Sequence, residues 1–248
     1  MTAAAERARR ALVTGVSRGI GRAIARRLLD DGWEVIGTYR TEADAARELA
    51  AADRLTLHRV DLGDDASVAA LLEALAGVPL DGLVNNAGMI HFEADGELEL
   101  EPWRRTLEVN LTAPVRLARA LGGQLAEGGS IVNIASVDGT VGSYNSMAYA
   151  ASKAALLSAT KSLANLLGER GIRVNAVTPG WIDTEMANEE ALAISLTPLA
   201  RLGRPAEVGD VVAWLLGPES SFVSGASIVI DGGLSNVDPV LKREWEEG

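Results

Sequence analysis

The sequence predicts a single doubly wound α/β domain over residues 1–248, built on a seven-stranded parallel sheet. Three observations predict it. Short apolar runs alternate with helical patterns along the chain, as in a parallel sheet covered on both faces. The 26 glycines stand singly or in pairs between those runs, as turn punctuation does. No Pro/Ser-rich linker or internal repeat divides the 248 residues, a length that one α/β domain reaches.

Ala11 to Thr14 reads as the first strand and Gly19 to Leu29 as the first helix. Val35 to Thr38 is the second strand, Leu55 to Val60 the third, and Leu83-Val84 the centre of the fourth. Ser130 to Ala135, Arg173 to Val177 and Ser227 to Ile230 complete the seven. Two of the intervening helices stand out. Pro102 occupies a plausible first helical position, where its missing N–H costs nothing, and this helix is expected to reach about Leu121. The other runs from about Tyr149 to Gly168, with Lys153 and Lys161 as its only charges and nine Ala or Ser among twenty residues. A helix this apolar on several sides is expected to be buried all round. One face packs on the sheet. The other is covered by a second subunit or by a neighbouring helix of the same chain, and the small residues favour the subunit.

Composition excludes several function classes. Apolar residues are 48% and charged residues 23%, ordinary for a globular chain. Lys plus Arg number 23 against 34 Asp plus Glu, a net charge of −11, and aromatics are only 4%. Such a chain lacks the basic footprint and stacking surfaces of a nucleic-acid binder, and acidic membranes repel it. With no Cys there is no disulfide, thiol chemistry or cysteine-bound metal. The two histidines, His58 and His91, give no basis for a zinc site, and no metal is expected. Residues 1–10 lack the apolar core of a signal peptide, and no stretch reads as a membrane span. The expected address is the cytoplasm.

A phosphate-binding turn follows the first strand, in Thr14-Gly15-Val16-Ser17-Arg18-Gly19-Ile20-Gly21. Glycines allow a tight turn and close backbone approach to a pyrophosphate, and the helix start supplies free N–H groups. The plain alternative is a glycine-rich turn with no ligand. The second strand then discriminates between cofactors. An NAD site usually has Asp or Glu at its end to hold the ribose 2′-hydroxyl. This strand ends Thr38-Tyr39-Arg40-Thr41, without an acid. Arg18 and Arg40 are candidates to face a 2′-phosphate, with Thr38 adding a hydroxyl, which favours NADP(H). The alternative for each Arg is a solvated surface charge.

Ser136 ends the fifth strand, and Tyr149 and Lys153 follow at i and i+4 on one helix face. A free phenol titrates near pH 10, too high for a base at neutral pH. An ammonium roughly 4–5 Å away is worth about 3–4 kcal/mol at an effective dielectric near 20. That is roughly two to three pKa units of phenolate stabilisation, enough to bring proton transfer toward pH 7.

With these residues in place, the chain resembles the short-chain dehydrogenase/reductase family, in its compact single-domain branch. The resemblance covers about Arg10 to Gly233. It rests on the Thr14–Gly21 turn, Asp61-Leu62, Asn85-Asn86-Ala87-Gly88, Asn110, Ser136, Tyr149 with Lys153, and Pro179-Gly180. It implies a Rossmann-like fold and a set of roles. Tyr149 would be the general acid in reduction, and Lys153 would lower its pKa and hold the nicotinamide ribose. Ser136 would bind the substrate oxygen, and Asn110 would position a water that refills Tyr149 through Lys153. Asp61 and Leu62 would meet the adenine and Asn86, Ala87 and Gly88 the adenosine ribose side. Pro179, Gly180, Ile182 and Thr184 would contact the nicotinamide. The resemblance also implies a homotetramer, with a dimer the simpler outcome. The helices after Pro102 and from Tyr149 would form one two-fold contact, the strand around Ile228 a second, and the tail from Asn236 to Gly248 would reach a neighbouring subunit.

For the substrate, His91, Val137, Asp138, Tyr144, Trp181 and the segment from Met186 to Pro198 are candidate pocket residues. His91 has the alternative of a loop residue, Asp138 of a cap, and Trp181 of packing against the neighbouring helix. Similar enzymes reduce 3-oxoacyl groups on an acidic carrier protein, which needs a basic docking patch. This chain is acidic at Ala126-Glu127 where those reductases carry Arg, although Arg170 matches one of their basic positions. The reading that comes first is a ketoreductase of a free small-molecule carbonyl or secondary alcohol. A 3-oxoacyl-acyl-carrier-protein reductase comes second. A cofactor-sensing regulator without catalysis is third, disfavoured because Tyr149 and Lys153 are both present.

Overall fold

A computed structural model describes residues 7–42, 46, 49, 54–94, 96–185 and 190–247. In chain order they form β1 (Arg10–Val13), α1 (Gly19–Asp30), β2 (Glu34–Tyr39), β3 (Leu55–Arg59) and α2 (Asp65–Ala74). Next come β4 (Leu80–Asn85), α3 (Leu100–Leu107), α4 (Ala113–Gly122), β5 (Leu125–Ile134) and the short α5 (Asp138–Val141). Then follow α6 (Met147–Leu167), β6 (Arg173–Pro179), α7 (Glu190–Leu196), α8 (Pro205–Leu216), β7 (Ser227–Ile230) and α9 (Pro239–Glu247).

The seven strands lie in the order β3-β2-β1-β4-β5-β6-β7, and every pair is parallel. The strands read as continuous apolar runs because both sheet faces are covered. Alternate residues feed two cores. Ala11, Val13, Val84 and Val132 join Ile24 and Leu28 of α1 and Val208 and Val212 of α8. Leu12, Leu83 and Ile131 face the other way, onto Leu71, Leu117, Leu121 and Leu163. Each such side chain contributes about 1.5–3 kcal/mol by leaving water. The strand order reverses between β1 and β4, and the crevice at the carboxyl ends there is where doubly wound sheets bind ligands.

The helix termini follow local rules. The Asp64 carboxylate accepts the N–H groups of Ala66 and Ser67 at the start of α2. Pro205 opens α8, and Glu207 accepts the Arg204 N–H at 2.7 Å.

One expectation is corrected. The helix expected from Pro102 to Leu121 is broken. It starts at Leu100, with Pro102 third in its first turn, and passes through a π-helical turn at Glu108–Thr112 before α4. Pro114 supplies the reason, since it has no N–H to give the carbonyl of Asn110. The outer face of α6 is open in a single chain, as the favoured expectation of cover by a second subunit requires. Ala154, Ser158, Lys161 and Ser162 are exposed, as is Leu166. Their small and polar side chains leave an apolar groove against Leu111 and Val115.

Candidate active site

The turn after β1 is held by a closed set of hydrogen bonds. Thr14 Oγ1 accepts the N–H groups of Asn86 and Ala87, each at 3.0 Å. Asn86 Nδ2 donates back to the carbonyls of Thr14 and Gly15 at 2.9 and 3.2 Å. Gly15 and Gly19 have φ of +75° and +53°, the region that glycine enters without strain. At Gly21 a Cβ would stand 2.1 Å from the Gly15 carbonyl oxygen, so no other residue fits this turn. The first turn of α1, from Gly19 through Ile20 to Gly21, leaves N–H groups without intrahelical acceptors, facing the crevice mouth with Ser17 half-exposed beside them. Thr184 reaches the same turn: a Cβ on Gly19 would lie 3.3 Å from its methyl group.

The expected 2′-phosphate residues are placed differently from one another. Arg18, directly before α1, and Arg40, directly after β2, are both exposed. Thr38 is buried, and its hydroxyl accepts the Gly15 N–H at 3.2 Å, so it braces the turn rather than offering itself to a ligand. Sequence reasoning missed Glu42, whose carboxylate pairs with Arg18 at 3.1 Å. It also missed Arg105, which pairs with Asp61 at 2.5 Å. Asp61 accepts the Gly63 N–H as well, and both bonds hold its carboxyl below the usual range, against the opposing effect of burial. Leu62 turns its side chain into the core.

Asn110 sits at the centre of the π-helical turn, buried and fully bonded. Its Oδ1 accepts the Met89 N–H and its Nδ2 donates to the Met89 carbonyl, both at 2.8 Å, and to Ser152 Oγ at 3.1 Å. Lys153 is buried one turn along from Ser152's neighbour Tyr149. Its Nζ donates to the Ile134 carbonyl at 2.7 Å and lies 5.5 Å from the Tyr149 ring centroid. Gly88 lies between them: a Cβ there would be 3.4 Å from Asn110 Oδ1 and 3.5 Å from Lys153 Nζ. The Ser136 hydroxyl lies beside the Tyr149 phenol and acts to lower its pKa. Asn110, Ser136, Tyr149 and Lys153 are thus brought together at the carboxyl ends of β4 and β5.

One expectation about this group is corrected. The lysine does not draw the phenol toward neutrality. Burial pushes Tyr149 up to about 12, with Asp138 acting in the same direction and the Ser136 hydroxyl against it. Burial also pushes Lys153 down to about 8. The cause is desolvation, which disfavours both charged forms, while the ammonium spends a hydrogen bond on Ile134 and lies beside the ring. The resting pair is therefore a protonated phenol next to a lysine that is mostly charged at pH 7 and gives up its proton easily.

The substrate candidates divide. Val137 is buried, and its N–H donates to the Pro179 carbonyl at 3.1 Å, which joins the turns after β5 and β6. Asp138 donates its N–H to Ser136 Oγ at 3.2 Å, which places it beside the reacting groups. Trp181 is 42% exposed after Gly180, while Ile182 is buried and bridges to Gly203. Gly180 is packed tightly, since a Cβ there would stand 2.7 Å from that of Asp231. Tyr144 is not brought to the site: its side chain stands fully in solvent. His91 lies on a loop with its ring 3.4 Å from Glu99. Of the segment from Met186 to Pro198, residues 186–189 lie outside the described residues.

Residues 15–235 match the family model described as enoyl-(acyl carrier protein) reductase. The chain is 42% identical over 240 residues to cis-4-hydroxycyclohexanecarboxylate dehydrogenase of Sinomonas cyclohexanicum, covering 92% of this chain and 96% of the relative. It is 38% identical to 3-oxoacyl-(acyl-carrier-protein) reductase FabG of Vibrio cholerae, over 90% of this chain and 96% of that one. The crystal structure of a short-chain dehydrogenase from Burkholderia cenocepacia in complex with NADP superimposes with a TM-score of 0.87 at 38% identity, covering 92% and 98% of the two chains. The likeness runs over nearly the whole chain, and the chain belongs to the short-chain dehydrogenase/reductase family.

Proposed function

We propose that this chain is an NADP(H)-dependent oxidoreductase that interconverts the ketone of a free small molecule and its secondary alcohol. The observation that carries this reading is the grouping of Ser136, Tyr149, Lys153 and Asn110 beside the glycine turn. The residues present fit the cofactor. The α1 start offers N–H groups to a pyrophosphate, and Arg18 and Arg40 are exposed for a 2′-phosphate, Arg18 being paired with Glu42. NADPH supplies the hydride. The chain supplies the proton and its control. Ser136 donates its hydroxyl hydrogen to the carbonyl oxygen where negative charge develops. Tyr149, held protonated by burial, gives its phenolic proton to that oxygen. Lys153 then stabilises the phenolate and passes it a proton, a transfer that its depressed pKa near 8 favours. Asn110, fixed by three hydrogen bonds, keeps this end of the relay in place.

Three features favour a free substrate over a carrier-bound one. Net charge is −11, Glu127 stands where a docking arginine is expected, and the Arg170 guanidinium is committed to the carbonyls of Gly122 and Gly123 at 2.9 and 2.7 Å. A panel of ketones, 3-oxoacyl thioesters and alcohols, followed by NADPH absorbance, tests the reading. Ketone turnover that vanishes in Tyr149→Phe supports it, and turnover of 3-oxoacyl-carrier substrates alone overturns it. Two copies are proposed to pair through the groove between α4 and α6, and four through the β7 edge near Ile228. Light scattering that shows a stable monomer at micromolar concentration overturns that assembly. Among the described residues no helix is long and apolar enough to cross a membrane, and a cytoplasmic address is proposed.

A further inference from the structure

We propose that Asp138 is the specificity-determining residue of the cleft, and that the preferred substrate is an apolar or aromatic ketone carrying a protonated amine next to its carbonyl. This rests on the reductase reading above and deepens it. The backbone of Asp138 is fixed to the reacting groups through its N–H on Ser136 Oγ, at 3.2 Å. The next residue is wedged on the helix that carries Tyr149 and Lys153: a Cβ on Gly139 would lie 2.8 Å from the Ala154 nitrogen and the Lys153 carbonyl carbon. Asp138 is half-buried, and its charge is felt at the Tyr149 phenol.

The Asp138 carboxylate, unlike several others in the fold, has no partner among the described residues. Asp61 has Arg105 and the Gly63 N–H, Asp231 accepts the N–H groups of Gly233 and Ser235, and Glu93 accepts that of Ala148. Among the described residues none donates a hydrogen bond to the Asp138 carboxylate and no cation pairs with it. Its carboxyl is correspondingly pushed up, by burial alone. A half-buried carboxylate in this condition gains more from a cationic hydrogen-bond donor than a solvated one does. The surroundings define the rest of the ligand. Val141 at the end of α5, Met147 at the start of α6 and Trp181 beyond β6 are exposed large apolar side chains, suited to an apolar body. A substrate ammonium also cancels the negative charge that opposes phenolate formation at Tyr149. One contact thus assists both binding and proton transfer, while a substrate carboxylate suffers on both counts.

The test uses three ketones of similar shape: 2-amino-1-phenylethanone, propiophenone and phenylglyoxylate, which are cationic, neutral and anionic. The wild type should favour the amine over propiophenone by about 10- to 100-fold in kcat/KM, the range of a charged hydrogen bond. Phenylglyoxylate should be the poorest. Asp138→Asn should collapse the amine-to-neutral ratio to within about threefold, and Asp138→Ser serves the same purpose if the Asn variant fails to fold. Calorimetric titration of the amine and propiophenone into the enzyme with NADP+ reads the same ratio without turnover. Equal treatment of the two ketones by the wild type, or a preference that survives in the variants, overturns the role of Asp138 and leaves the reductase reading standing. Asp138-dependent binding of the amine with no turnover of any ketone sinks the reductase reading and the substrate assignment with it, and upholds Asp138 as the residue that selects a cation. Neither turnover nor selective binding sinks both.

Discussion

The two sides of the cleft are built by opposite means. On the cofactor side polar groups are spent on one another: Thr14 serves Asn86 and Ala87, Asn86 serves Thr14 and Gly15, and Thr38 serves Gly15. On the substrate side Asp138 has no partner among the described residues, Tyr144 stands in solvent and Trp181 is 42% exposed. A satisfied network is rigid and has little left to offer a variable ligand. A partly buried group with nothing to bind is costly at rest and so rewards whatever satisfies it. The comparison teaches that the reaction and the choice of substrate are separable in this molecule.

The sharpest way to break the comparison is to remove the shared proton. Tyr149→Phe should lower kcat by about 10²–10⁴-fold, the usual worth of general acid catalysis, while NADPH binding measured by fluorescence titration stays nearly intact. Ser136→Ala should cost about 10²–10³-fold in kcat. The double variant should lose less than the product of the two, because both act on one oxygen.

Lys153 probes the cost of the rigid side through stability. Its pKa is depressed from 10.5 in the open chain to about 8 in the fold. The penalty is fully present below about pH 8 and is relieved as pH rises toward 10.5. Urea denaturation of the wild type should therefore show stability rising from pH 8 to 10, by up to about 3 kcal/mol at 1.36 kcal/mol per unit. Lys153→Met should lack that rise. Above pH 10 the raised Tyr149 works in the other direction, so the comparison belongs below it.

Gly21→Ala should lower NADPH affinity by about 10- to 100-fold or unfold the turn, since its Cβ would clash with the Gly15 carbonyl. Binding of 2′,5′-ADP followed by calorimetry and a thermal melt separate the two outcomes. The smallest effect is expected at Glu42. Its pair with Arg18 is about half exposed and worth at most ~1 kcal/mol, so Glu42→Gln should tighten 2′,5′-ADP by up to about fivefold and leave 5′-AMP unchanged.

Much of the fold was legible because its rules are local. Strands from Leu12 to Val229 betray themselves as apolar runs, and their observed bounds differ from the reading by a few residues at most at all but β4 and β5, which extend back to Leu80 and Leu125. The Tyr149–Lys153 pair was legible because helix spacing puts i and i+4 on one face. Pro114, inside the expected helix, was a signal left unread: a proline there removes a helical hydrogen bond and opens the π-helical turn that holds Asn110. Thr14 was a second such signal, a hydroxyl placed directly before the first turn glycine. The partnerships of Glu42 with Arg18 and Arg105 with Asp61 had none, since each joins elements that only folding brings together.

The strands, the glycine turn and the shared helix face of Tyr149 and Lys153 could be read along the chain, because backbone geometry and helical period act over a few residues at a time. Only the tertiary structure decided the protonation of that pair, the bracing role of Thr38, the exclusion of Tyr144 and the unpartnered state of Asp138. The physical reason is that burial and side-chain pairing depend on which distant residues close over a group. Desolvation is the largest influence on Tyr149, and no spacing along the chain reports how deeply a phenol is buried.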